Sequence, residues 1–194
     1  MRELRIHGRG GQGAVIASKL LAAALFHEGR WVQSFPSFGV ERRGAPVAAF
    51  VRIDEVPIRL RCEVTQPDDI IVLDPTLLTA VDITAGLKPG GSILINSEGL
   101  PGDFPALIGR FRVATVAAGE IAARNHLGSR TQPIVNTAIL GAFAACSGLV
   151  GLESVCAAIE EDVPQHAEAN VRAAREAAAA VQVGGLAAQE VSHV

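Results

Sequence analysis

Apolar and polar positions alternate over Leu4-Arg5-Ile6-His7, the period of a half-buried strand, and a glycine cluster then opens onto residues 14–26, where good helix formers carry apolar side chains at helical spacing. Residues 31–35 predict a second strand, and residues 36–46 a loop rich in proline, glycine and charge. Residues 47–53 and 58–64 are strand-like runs whose separation by Asp54-Glu55-Val56-Pro57 predicts a hairpin. Asp69-Ile70-Ile71-Val72-Leu73-Asp74 has the near-continuous apolar centre of a strand covered on both faces, and Pro75 is placed for the first turn of a helix. Lys88-Pro89-Gly90-Gly91 is a turn and residues 92–96 a further buried strand. Residues 111–116 alternate and are expected to be the last strand of the sheet, after which helices are expected at residues 117–127, 135–146, 152–161 and 164–183.

Strands come early and helices late, with no repeat of 20–50 residues and no Pro/Ser linker. The expected fold is α/β: a single Rossmann-like domain over residues 1–183 with a mixed, mostly parallel sheet, a hairpin in the middle and a helical C-terminal third. Residues 184–194 read as a frayed tail. Residues 173–180 are almost all alanine, so the last helix either packs on something or reflects an alanine-biased genome.

Composition narrows the function classes. A chain of 194 residues with 49% hydrophobic content builds one substantial core, which excludes a disordered or collagen-like protein. The apolar stretches at 134–146 and 177–183 fall short of the roughly 20 residues of a bilayer span, and the N-terminus lacks the apolar region of a secretory signal. A cytoplasmic location is expected. Cys62, Cys146 and Cys156 form no C-x-x-C pair and have no histidine at ligand spacing, so no iron–sulfur or zinc site is expected within the chain, and Cys146 and Cys156 read as buried reduced thiols. Residues 1–65 carry ten basic against six acidic groups, and residues 66–194 seven against fourteen. Fifteen of the seventeen basic residues are arginine, whose planar fork suits phosphate and carboxylate. The cationic third is too weak a field for a polyanion, and nucleic acid is not expected as a partner.

The clearest chemical signal is Gly8-Arg9-Gly10-Gly11-Gln12-Gly13, which satisfies G-x-G-x-x-G between a strand and a helix. Glycines there permit positive φ and close approach of backbone amides, and the helix that follows adds free N–H groups and the positive end of its dipole, so a phosphate is the natural guest. A dinucleotide site would also need an acidic residue at the end of the second strand, about 20 residues on. Gln33-Ser34-Phe35-Pro36 stands there instead; Glu28 comes too early and Glu41 too late, which weakens an NAD reading. The alternative is a turn that only packs helix against sheet.

A second unusual stretch is Phe35-Pro36-Ser37-Phe38-Gly39-Val40-Glu41-Arg42-Arg43-Gly44, with large apolar groups that a plain solvated loop does not need. At the carboxyl edge of the sheet Arg42 and Arg43 would face the glycine turn; the alternative is that Glu41, Arg42 and Arg43 form surface ion pairs. His7, His126 and His166 lack partners for a triad or a metal, and no G-x-S-x-G or H-E-x-x-H occurs. No catalytic residue is assigned.

Taken with Ile6-His7 before the turn and with Pro133-Ile134-Val135-Asn136-Thr137-Ala138-Ile139-Leu140-Gly141-Ala142, these motifs resemble the gamma subunit of the 2-oxoacid:ferredoxin oxidoreductases of the pyruvate synthase type. The resemblance runs from the first strand to the helix ending near Val183. It implies an accessory subunit of a hetero-oligomer with alpha-, beta- and delta-type partners that decarboxylates a 2-oxoacid on thiamine diphosphate with Mg2+. Electrons would leave through [4Fe-4S] clusters to ferredoxin or another acceptor, and the acyl group would go to coenzyme A, with the thiamine and clusters held by partners. Under it, Gly8, Arg9, Gly10, Gly11, Gln12 and Gly13, with Arg42 and Arg43, would bind the phosphates of coenzyme A or a nearby anionic group. Phe38 and Glu41 would shape the thiol's channel, and Asn136 and Thr137 would support its wall. Family members act on pyruvate, 2-oxoglutarate, branched oxoacids, indolepyruvate, phenylglyoxylate or oxalate. A purely structural assembly subunit and a free-standing dinucleotide-binding oxidoreductase are the other readings.

Overall fold

In the computed structural model, residues 1–37, 44–129 and 131–185 are described. Along the chain come β1 (Arg2–Arg9), α1 (Ala14–His27), β2 (Trp31–Pro36), β3 (Pro46–Asp54), β4 (Asp69–Val72), α2 (Leu77–Ala80) and β5 (Ser92–Asn96). After a 3-10 turn at Pro101–Asp103 follow α3 (Pro105–Ile108), β6 (Arg112–Val116), α4 (Ala118–Arg124), α5 (Asn136–Ser147), α6 (Leu152–Asp162), α7 (Ala167–Ala180) and β7 (Gln182–Gly185). The strands form one sheet in the order β2-β3-β1-β4-β5-β6-β7. Its centre, β1-β4-β5-β6, is parallel; β2, β3 and β7 pair antiparallel. The α/β fold expected from the alternation of elements is the fold observed.

All four residues of β4 are buried because helices cover both faces of the central sheet, and this explains the unbroken apolar run there. Ile71, Leu73 and Leu94 turn toward a core made with α1, α4, α5, α6 and α7, while Ile70, Val72, Ile93, Ile95 and Val113 turn to the opposite face, against Leu77, Ile83, Leu87 and Phe111. The alanine run of α7 packs: Ala173, Ala174 and Ala177 are fully buried, and a Cβ at Gly141 of α5 would fall onto the carbonyl of Ala174. Small residues on both helices let their backbones approach closely.

Three expectations need correction. Residues 58–64 form no strand, because β3 is already paired on both edges, with β1 from Arg2↔Ile53 to Arg9↔Pro46 and with β2 from Trp31↔Asp54 to Pro36↔Ala49. The antiparallel hairpin is β2–β3. Residues 58–64 instead cross the sheet over Arg52, whose side chain is 1% exposed and donates to the Glu63 carbonyl at 3.3 Å and to the Glu3 carboxylate at 2.8 Å. The sheet does not end at β6, since β7 pairs with it from Arg112↔Gly185 to Thr115↔Gln182. The last helix accordingly stops at Ala180, short of Val183, and Gly184 and Gly185 belong to a strand rather than to a tail.

Candidate functional site

β1 runs to Arg9 at the carboxyl edge of the parallel strands, and the chain must reverse there to start α1. Gly11 (φ 96°) and Gly13 (φ 81°) make the reversal in left-handed backbone that a side chain would strain. Gly8 is needed for closeness, since a Cβ on it would meet Leu73 Cδ1 at 3.2 Å and Ala14 Cβ at 3.3 Å. The turn is pinned by Gln12 N–H to Arg9 O (2.9 Å) and by Arg9 N–H to Gln12 Oε1 (2.7 Å). Beyond it the N–H groups of Gly13, Ala14, Val15 and Ile16 have no acceptor among the described residues, as the first turn of a helix leaves them.

The side chains of the turn are committed to one carboxylate. Asp74, just past β4, accepts from Gln12 Nε2 at 2.8 Å and from Arg9 Nε at 3.1 Å. Burial works to raise the Asp74 carboxyl, but hydrogen bonds from Thr76 and Gln12 and the charge of Arg9 outweigh it and hold the group below its ordinary value. The rest of the Arg9 guanidinium is held by Thr76 Oγ1 (2.7 Å) and Gly44 O (3.1 Å). Residues 44 and 45 meet this edge: Gly10 N–H donates to Ala45 O and Gly44 N–H to Gly10 O, at 2.9 and 3.0 Å. Phe38, Glu41, Arg42 and Arg43 lie outside the described residues.

The start of α5 closes the turn from the other side. A Cβ on Gly13 would lie 2.8 Å from Asn136 Nδ2, so the turn and α5 touch where only glycine fits. Asn136 is 5% exposed; its Oδ1 accepts the Thr137 N–H at 2.9 Å, and its Nδ2 donates to no atom of the described residues. Thr137 Oγ1 donates to Asn170 Oδ1 (2.7 Å), and Asn170 Nδ2 to His166 O (3.0 Å), which ties the first turn of α5 to α7. The glycine turn, Val15, Ile16, Val47, Ile134 and Asn136 together line a cleft of about 330 Å³.

A larger cavity of about 850 Å³ lies further along the same edge, between the ends of β5 and β6 and α4, where sequence reasoning singled out no residue. Asn96, Glu98, Glu120 and Arg124 line it. Asn96 is a clip: Nδ2 donates to Leu73 O at 2.9 Å, and Oδ1 accepts from Gly119 N–H at 3.1 Å. Asp74 and Thr76 were missed at the glycine turn. Their signal was Asp-Pro-Thr directly after a buried strand whose carboxyl end faces ligand sites in such sheets.

His7 Nε2 accepts from Arg5 Nε at 2.9 Å, and burial, helped by the Arg5 charge, pushes its pKa down to about 4, so the ring is neutral. Cys62 is exposed, Cys146 half-buried and Cys156 buried. Burial raises the Cys146 thiol to about 11, the behaviour of an unreactive core thiol. Among the described residues no three His, Cys, Asp or Glu side chains are grouped to hold a metal, and no helix is long and apolar enough to cross a membrane.

Comparison with known proteins gives a consistent result. A profile of the family described as pyruvate ferredoxin/flavodoxin oxidoreductase matches residues 3–180. The pyruvate/ketoisovalerate oxidoreductases common subunit gamma of Pyrococcus abyssi is 50% identical over 186 residues, covering 94% of this chain and 98% of the relative. Pyruvate synthase subunit PorC of Methanothermobacter thermautotrophicus is 48% identical over 176 residues, covering 90% and 93%. Among solved structures, pyruvate oxidoreductase subunit PORC of Thermotoga maritima matches with a TM-score of 0.79 at 37% identity, covering 94% of this chain and 97% of its own. The 2-oxoglutarate:ferredoxin oxidoreductase of Magnetococcus marinus, solved with 2-oxoglutarate, coenzyme A and succinyl-CoA bound, shares the fold at a TM-score of 0.70 and 18% identity, over 92% of this chain and 30% of its own.

Proposed function

The chain belongs to the pyruvate ferredoxin/flavodoxin oxidoreductase family, and from that premise we propose that it is the gamma-type subunit of a multi-subunit 2-oxoacid oxidoreductase and helps bind coenzyme A at its glycine turn. The relatives' names point to pyruvate or a branched oxoacid as substrate. Thiamine diphosphate, Mg2+ and the [4Fe-4S] clusters belong to alpha-, beta- and delta-type partners in this reading, with ferredoxin or another acceptor taking the electrons. The dispersed cysteines of this chain, on the 58–64 segment, α5 and α6, suit that division: they do not form a cluster-ligand set.

The observation that carries the coenzyme reading is the row of free N–H groups at residues 13–16, opening into a cleft at the carboxyl edge of the sheet. Arg9 is neutralised by Asp74, so the cations for the coenzyme's phosphates are Arg42 and Arg43, which directly precede Gly44, a residue hydrogen-bonded to Gly10 of the turn. Phe38 and Glu41 shape the approach of the thiol. Replacing Arg42 and Arg43 by alanine in the assembled enzyme is expected to weaken the apparent affinity for coenzyme A about tenfold or more, as loss of charge-assisted phosphate contacts does. Unchanged affinity would contradict the placement.

A scaffold role is favoured by a separate observation, the exposed Phe26 (71%) in the last turn of α1 and Trp31 (51%) at the start of β2. In that reading the glycine turn only packs, and these side chains are covered by partner subunits.

A further inference from the structure

Helix N-termini that hold phosphates usually add a free cation and an exposed mouth, and the cleft over this glycine turn departs from that pattern. Its one charged lining residue among those described, Arg9, is spent on Asp74, Thr76 and Gly44. Its walls are apolar: Val15 and Val47 are partly covered, while Ile16 and Ile134 stand 53% and 48% exposed at its lips. Set into these walls, beside the free N–H groups of residues 13–16, is one uncharged side-chain donor, Asn136 Nδ2, on a residue 5% exposed and with no acceptor among the described residues. No side-chain nitrogen or oxygen of the described residues is buried without a partner, so Nδ2 keeps contact with solvent, and Asn136 lines the cleft.

We propose that the space between the glycine turn and the first residue of α5 seats an uncharged aliphatic chain bearing amide groups, whose carbonyl oxygen accepts from Asn136 Nδ2 while its methylenes cover Ile16 and Ile134. This deepens the coenzyme reading above and rests on it: the pantetheine arm of coenzyme A has this chemistry, and its phosphates then lie outside this space. A cleft of about 330 Å³ is at the small end of ligand sites, room for one arm of such a molecule rather than the whole. Asn170, through Thr137, is a positioning residue that holds the first turn of α5 against α7, so that Asn136 stays over Gly13.

The test uses the assembled enzyme and three probes: coenzyme A, pantetheine and 3′,5′-ADP. Asn136→Leu keeps about the volume of the side chain and removes the free donor without adding a charge, at the loss of the oxygen that caps the Thr137 N–H. The variant is expected to weaken binding of pantetheine and of coenzyme A about tenfold, the loss of one buried hydrogen bond, and to leave 3′,5′-ADP unchanged. Weakened 3′,5′-ADP with unaltered pantetheine would overturn the assignment while keeping the coenzyme at this turn. If all three bind as before, the assignment fails, and the Arg42 and Arg43 variants decide separately whether the coenzyme docks here at all. Asn136→Ala read by hydrogen exchange of residues 134–140 checks that α5 is still formed.

Discussion

Two asparagines stand at the same edge of the sheet, each beside a cavity, and they serve opposite purposes. Asn96, by the larger cavity, uses both ends of its amide to tie the end of β4 to the start of α4. Asn136, by the smaller, uses only its oxygen and presents its nitrogen to the glycine turn. Cavity size therefore says less about function than the state of the polar groups lining it. A satisfied amide holds structure, and an amide donor left open on a cleft marks a place prepared for a guest.

The sharpest way to break this contrast is Gly13→Ala. The new Cβ would press on Asn136 Nδ2 and force alanine into a φ of +81°, at a cost of roughly 2 kcal/mol or more, and it would fill the cleft as well. A lowered unfolding temperature together with lost coenzyme A binding in the assembled enzyme is expected; stability without loss of binding would show that turn and α5 do not touch as described. A smaller and one-sided effect is expected from Asn96→Ala. It abandons the Leu73 carbonyl and the Gly119 N–H at a cost of about 1–3 kcal/mol, so thermal unfolding shifts downward while coenzyme A affinity stays where it was. A change in that affinity would erase the distinction between the two cavities.

The legible parts of this chain were those written in local period. β1, the glycine turn and α1 were readable because alternation, glycine spacing and helical spacing follow one another within a single stretch. β4 and β5 were readable because strands covered on both faces leave an apolar signature. The false hairpin at 47–64 shows the limit: both runs look like strands, but the partners of β3 are β1 and β2, and no local pattern says that both edges are taken. β7 was hidden for the same reason, since Gln182-Val183-Gly184-Gly185 carries no strand pattern and is held by the open edge of β6. At the site, the glycines announced themselves, whereas the meeting of Gly13 with Asn136 and of Arg9 with Asp74 depends on chain crossings that only the fold supplies. The short alanine and glycine positions that bring α5 against α7 were visible as composition, but not as a contact.

The most direct measurement is amide hydrogen exchange over residues 8–17 of the assembled oxidoreductase, with and without coenzyme A. Binding at the turn predicts slowed exchange at Gly13, Ala14, Val15 and Ile16, the N–H groups that have no acceptor within the described chain. Exchange there that is the same in the presence of saturating coenzyme A would contradict the assignment and leave the turn as packing alone.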